Sequence, residues 1–167
     1  DTIPGATPQL DHATGVECTT QLTPDSLFAG ILAIAADAII SIGQDRKITL
    51  LNHGAETIFG YTSQEAIGQH LDMLIPDRYR SRHEQHLRHF QSGTDVARRM
   101  GERSEVMARR RNGEEFYAEA SISKLEIDGK IAFTVVLRDI TRQKQLEDSL
   151  ERRVEARTAE LNAVLDS

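Results

Sequence analysis

Cysteine is nearly absent from this 167-residue chain, Cys18 being the single one. A lone thiol cannot close a disulfide within the chain, which excludes a stapled secreted scaffold and fits a reducing cytoplasm. Long apolar runs are missing as well: none approaches the roughly 20 residues needed to cross a bilayer. The opening Asp1-Thr-Ile-Pro-Gly-Ala-Thr-Pro8 has neither the basic region nor the apolar stretch of a signal peptide. There is no excess of positive charge. The formal value is -6, which argues against a general affinity for nucleic acid or a membrane surface, both polyanionic. No phosphate loop, nucleophile elbow or kinase signature occurs, so nothing marks a catalytic domain. What remains is ordinary globular material, 39% hydrophobic and 28% charged, enough for one domain with appendages. The chain opens on Asp1 rather than Met and ends inside a helical pattern, as expected of a piece of a longer protein.

Residues 1–23 are rich in Thr, Pro, Gly and Asp without an apolar period and read as a flexible lead-in. Thr23-Pro24-Asp25-Ser26 then supplies caps and a proline for a helix start. Leu27, Phe28, Ile31, Leu32 and Ala35 follow at helical spacing. Ala38-Ile-Ile-Ser-Ile42 and Lys47-Ile-Thr-Leu-Leu-Asn52, separated by Gly43-Gln-Asp-Arg46, make a hairpin of β-branched strands. Short helical pieces are expected from Asn52 to about Gln91: Ala55, Ile58 and Phe59 share a face, Gly60 ends that piece, and Pro76 opens a longer helix through Phe90. Strands return at Glu105-Val-Met-Ala-Arg109, with an Asn112-Gly113 turn after them. Phe116, Ala118, Ala120 and Ile122 alternate beyond that turn. Asp128-Gly129 makes a second tight turn before Ile131-Ala-Phe-Thr-Val-Val-Leu137. Hairpin, helices and three-stranded meander together define an α+β fold.

After Thr141 the pattern is continuous helix. Leu146, Leu150, Val154, Leu161 and Val164 share a narrow stripe interrupted by Arg157. Two successive steps of four form a stutter, which locally unwinds a left-handed coiled coil. A stripe this narrow predicts a dimer seam; the alternative is a helix lying back on its own domain.

These residues resemble the PAS family over about 27–141. The resemblance rests on Asp37-Ala-Ile-Ile40, Asn52, Ile58-Phe-Gly-Tyr61, Arg111-Asn-Gly-Glu-Glu-Phe116 and Arg138-Asp-Ile-Thr141, in that order and spacing. It implies a PAS fold: a five-stranded antiparallel sheet in the order 2-1-5-4-3, helices enclosing a pocket on one face, and a C-terminal coiled-coil helix. The implied division is a lead-in (1–23), a PAS sensory domain (24–141) and a signalling helix (142–167). Asp139 and Thr141 would couple the core to that helix, Thr141 being a good N-cap and Asp139 placed to pair with a cation or cap backbone donors. Glu151-Arg-Arg-Val-Glu-Ala-Arg-Thr-Ala-Glu-Leu161 is similar to linkers that join PAS domains to histidine kinase or cyclic-di-GMP output domains. The expected role is therefore a cytoplasmic signalling module and homodimer, without nucleic-acid or membrane partners. A scaffold that dimerises and binds no small molecule is the rival.

Pro76-Asp-Arg-Tyr-Arg-Ser-Arg-His83-Glu-Gln-His86-Leu-Arg-His89-Phe90 bears on chemistry. At about 100° per residue, Tyr79, His83, His86, Leu87 and Phe90 fall in one inward sector, with His89 outside it. The segment is similar to the helix carrying the proximal haem-ligand histidine of oxygen-sensing PAS domains, and the matching position is His83. The resemblance thus implies haem b on His83, with Tyr79, Leu87 and Phe90 around it and a gas as the signal. Met100 and Arg103 lie near the distal position, although anchoring on Asn112-Gly113 puts Ser104 where a kinase-type Arg would fall. A LOV-type flavin photoreceptor needs a reactive cysteine in the central helices, and 52–92 contains none; flavin held without one is the second cofactor candidate. His83, His86 and His89 cannot meet at one zinc ion on a straight helix, and His83-Glu-Gln-His86 is one residue short of the H-E-x-x-H pattern. His86 and His89 read as solvated histidines, and Arg109-Arg110-Arg111 as a solvated hairpin end.

Overall fold

The computed structural model describes residues 23–94, 97–99 and 105–167. Residues 1–22 of the expected lead-in, including Cys18, and the distal candidates Met100, Arg103 and Ser104 lie outside these.

Thr23 caps α1 (Pro24–Ile34), its hydroxyl accepting from Ser26 N–H at 3.2 Å. The hairpin β1 (Ala38–Gly43) and β2 (Ile48–Leu51) follows. Asn52 ends β2 and caps α2 (His53–Phe59), which Gly60 closes in the left-handed region at φ 80. Thr62 and Glu65 form a capping box on α3 (Ser63–Ala66). Two 3-10 turns, Leu71–Leu74 and Asp77–Tyr79, lead into α4 (Arg80–Ser92). The helix expected to open at Pro76 therefore starts later: Pro76 is fully buried and precedes a tighter turn. β3 (Ala97–Arg99), β4 (Glu105–Arg109), β5 (Glu115–Ile127) and β6 (Lys130–Asp139) complete the sheet, and β6 runs into α5 (Thr141–Leu165).

The sheet order is β2-β1-β6-β5, with β3 and β4 both paired antiparallel to β5 along its far edge. This is the expected 2-1-5-4-3 arrangement. β4 is the anticipated third strand, and β3 is a short addition sharing its edge position. The β5–β6 turn is the tightest: Ile127 pairs with Lys130, and Asp128 and Gly129 both have positive φ (52 and 73). A two-residue loop with both positions left-handed matches the right-handed twist of its strands.

Period-2 alternation puts Ile40 and Ile42 of β1, Phe116, Ala118, Ala120 and Ile122 of β5, and Phe133, Val135 and Leu137 of β6 on one face. Against them pack Ala55, Phe59, Leu74, Leu87 and Phe90 from the helical side. Phe59 meets Phe116 with ring centroids 5.7 Å apart. Asn52 is the buried polar member of this region. Its carbonyl oxygen accepts from Ile39 N–H (2.8 Å) and Ala55 N–H (2.9 Å), and its amide donates to the carbonyls of Leu32 (3.2 Å) and Asp37 (3.1 Å). One side chain thus ties α1, β1 and α2 together.

Candidate functional site

Between α4 and the sheet lies a cavity of about 430 Å³, within the usual range for small-molecule sites. Its walls are mostly apolar. Ile40, Ala120, Val135 and Leu137 line it from the sheet, and Phe59, Leu71, Leu74 and Ile75 from the helical side. Tyr79, Arg82, His83 and His86 approach from α4 and the turn before it; Glu105, Val106, Met107 and Tyr117 approach from the β4–β5 edge.

His83 lines the cavity from α4 and is half-buried. Its pKa is pushed down to about 4, first because burial strips water from the protonated ring, with His86 and Arg46 adding to this and Asp72 opposing it. The ring is therefore neutral at physiological pH, with one nitrogen free to act as an acceptor or ligand. Tyr79 also reaches the cavity. Leu87 and Phe90 do not: they are 5% and 4% exposed, and Phe90 packs on Phe133 at 6.1 Å. Helical periodicity identifies an inward face, yet that face serves both the core and the cavity. His89 is exposed; His86 is exposed too but stands on the cavity rim, beside Arg82.

The cavity's sheet wall leads to a second arrangement. Asp139 accepts from Thr141 N–H (2.9 Å) and the Thr141 hydroxyl (2.6 Å). Arg110 donates to the same carboxylate at 2.6 Å, to the Ile58 carbonyl at 2.7 Å and to Glu114 at 2.9 Å. Its guanidinium lies over the Phe116 ring, 3.9 Å from the centroid. Burial would raise the Asp139 carboxyl; the Thr141 bonds, followed by those from Arg110, outweigh it and hold the group below the usual carboxylate range. Two expectations are corrected here. Thr141 is the first residue of α5 rather than its N-cap; Ile140 holds the cap position and has no polar side-chain atom to cap with, and the Thr141 hydroxyl donates to Asp139 instead. Arg110 is a connecting residue and not part of a solvated hairpin end, with a side chain only 19% exposed. Its partner lies 29 residues away, a separation that leaves no mark in local sequence.

An antiparallel sheet thus encloses a cavity against α4 and feeds its last strand into an outgoing helix. The PAS domain profile matches residues 36–142, and the chain belongs to that family. It is 32% identical over 129 residues to the sensor protein FixL of Bradyrhizobium diazoefficiens, covering 77% of this chain and 25% of that one. Over 115 residues it is 29% identical to the oxygen sensor protein DosP of Escherichia coli, covering 69% of this chain and 14% of DosP. Over 120 residues it is 33% identical to the cell-division control histidine kinase PdhS of Brucella ovis, covering 72% of this chain and 11% of PdhS. The chain thus spans a quarter or less of these curated relatives. The PAS domain of a Colwellia psychrerythraea protein superposes with a TM-score of 0.62 at 21% identity, covering 70% of this chain and 96% of that one, which shows the shared fold. Among the described residues, no helix is long and apolar enough to cross a membrane.

Proposed function

We propose that this PAS domain holds haem b in the α4–sheet cavity, with His83 as the iron ligand, and works as a regulatory gas-sensing input for an output domain. The observation that carries the reading is His83: a half-buried, neutral imidazole on the wall of a mostly apolar cavity. That donor and those walls suit a large apolar macrocycle with one axial ligand. Bound haem would supply an open iron position for a diatomic gas. The similarity to an oxygen sensor supports the same reading. Flavin is the lesser candidate, because the cavity lining contains no Asn or Gln side chain to pair with an isoalloxazine edge.

On this reading, the sheet wall carries the signal. A displacement of Val135 or Leu137 moves β6, and β6 ends at Asp139, whose bonds to Thr141 and Arg110 set the start of α5. The α5 stripe is open to a second copy: Leu146, Leu150, Val154, Leu161 and Val164 are 57% to 66% exposed, and no residue of α5 is buried. A homodimer through this helix, joined by the exposed apolar face of α1, passes the change to a histidine kinase or a cyclic-di-GMP enzyme in the cytoplasm. No step of catalysis is assigned to the chain itself.

Expression with a haem precursor and an absorbance scan test the cofactor. A strong Soret band that His83→Ala removes is the expected result. A folded chain with no band, and no co-purified small molecule by mass spectrometry, leaves a dimerisation scaffold instead. Sedimentation of the chain cut after Thr141 tests the seam; unchanged self-association would refute it.

A further inference from the structure

The backbone route from cavity to helix runs through β6 and Asp139. A second contact bypasses it. Lys144, in the second turn of α5, places its Nζ 2.9 Å from Glu105 Oε1 on β4 and 5.7 Å from the centroid of the Tyr117 ring on β5. Glu105 and Tyr117 border the cavity at the β4–β5 edge, but strand alternation turns both side chains to the outer face of the sheet, while their neighbours Val106, Ala108 and Ala118 face inward. The same Tyr117 accepts from Ile140 N–H through its carbonyl, at 3.1 Å. The strands that wall the cavity on their inner face therefore touch α5 through side chains on their outer face.

The placement of Glu105 makes this contact more than an incidental surface pair. In the β4–β5 register Glu105 stands opposite Glu119, and like charges directly opposite on antiparallel strands repel. Glu119 in turn stands opposite Arg138 on β6, while Arg138 is engaged bidentately by Asp37. Lys144 is the cation held against Glu105. If Lys144 withdraws, Glu105 faces Glu119 without a counter-charge and has reason to reorient. If an occupant displaces Val106 or Ala108 on the inner face, β4 carries Glu105 with it and Lys144 loses its hold on the sheet. Each end biases the other, as linkage requires.

We propose that the Glu105–Lys144 pair is a second transmission link, coupling the β4–β5 wall of the cavity to the second turn of α5 independently of the Asp139 junction. It deepens the sensory reading and rests on the cavity having an occupant, but the link can be tested without one.

The test uses the full chain as wild type, Glu105→Gln, Lys144→Gln, the double variant and Lys144→Arg. Without ligand, each Gln variant is expected to speed amide exchange at residues 142–149 by about two- to five-fold, the range for a partly exposed ion pair. The double variant should match the singles, and Lys144→Arg should restore protection. Lys144→Gln should also shift the methyl NMR signals of Val135, which lines the cavity two strands away from Glu105 and which a merely local contact would not move. Haemin is then added: its effect on exchange at 142–149 should be smaller in both Gln variants than in wild type. Unchanged exchange, additive effects or unmoved methyl signals overturn the link. Failure of haemin to bind wild type refutes the cofactor reading alone, and the ligand-free arm still decides the link.

Discussion

Arg110→Met removes the guanidinium while keeping an apolar stem over Phe116. The wild-type side chain donates to Asp139 and Ile58 O at 2.6 and 2.7 Å, with both Arg110 and Asp139 side chains about one-fifth exposed. A hydrogen bond to a charged group at such a site contributes about 1.5–3 kcal/mol, and a neutral backbone bond about 1. The third contact, to a half-exposed Glu114, adds a few tenths at most. Allowing for partial access to water and for the Thr141 bonds that Asp139 keeps, the net cost is about 2–3 kcal/mol. Urea unfolding followed by circular dichroism would show it as a lower midpoint at unchanged slope. Asp139→Asn and the double variant complete a cycle with an expected coupling of about 1–2 kcal/mol. The sign with pH follows from the depressed Asp139 pKa. Its stabilisation is fully present above the unfolded value near 4 and is lost as pH falls through the lower folded value. The Arg110→Met penalty should therefore shrink on going from pH 7 to pH 3. A penalty below about 0.5 kcal/mol at pH 7, or a cycle that simply adds, would refute the connecting role of Arg110.

Asn52→Ala strands four backbone groups that its amide serves, and should cost about 3–4 kcal/mol in the same urea assay; a loss under 1 would show that water replaces the amide freely. Gly54→Ala puts a methyl 2.4 Å from Asp37 O and 2.6 Å from Ala35 O. Backbone on both sides cannot yield cheaply, so a loss above about 3 kcal/mol or an insoluble product is expected, and a wild-type midpoint would count against the packing of α2 on the α1–β1 connection. In the cofactor-free chain His83 has its pKa lowered to about 4 from about 6.5 when unfolded. The neutral ring's contribution is whole above pH 6.5 and is lost as pH falls from there to 4, about 2 kcal/mol after discounting for the ring's remaining access to water. His83→Gln should flatten the stability curve across that window, and parallel curves would mean that the ring is not shielded.

Turn chemistry and strand alternation made most of the fold readable. Asp128-Gly129 fixes the β5–β6 register, and the alternation from Phe116 to Ile122 fixes which face of β5 is buried. The helix facing the cavity was half legible. Period 3.6 put His83, Leu87 and Phe90 on one side, but it carries no information on where the core ends and a cavity begins. The contacts that join sheet to outgoing helix were not legible at all. Arg110 reaches Asp139 across 29 positions, and Lys144 reaches Glu105 across the β4–β5 edge; both depend on tertiary placement that no local spacing encodes. α1 shows the converse. Its amphipathic spacing formed a helix as expected, yet Leu27, Phe28 and Ile31 remain 55%, 59% and 50% exposed, since an apolar stripe specifies only that something covers it.

The two walls of the cavity differ in how they are tied to the rest of the molecule, and this decides which one can transmit. α4 is fastened mainly by side chains: Glu84 to Arg46 at 3.3 Å, Arg80 to the Asp72 carbonyl at 3.1 Å, and Lys124 to the Gly93 carbonyl at 2.7 Å. Such partly exposed contacts are individually weak, so a force on His83 can be absorbed by a small shift of that helix. The opposite wall is a continuous ladder. β6 pairs with β1 from Leu137 to Ala132 and with β5 from Asp139 to Lys130, and its end is bonded into α5 at Asp139. Paired strands cannot slip by fractions of a register, because a slip of one residue turns every side chain to the other face. On the proposed sensory reading, strain arriving at Val135 or Leu137 would travel along β6 and reach Asp139, where α5 begins. On that reading His83 would hold the occupant and the sheet would report it.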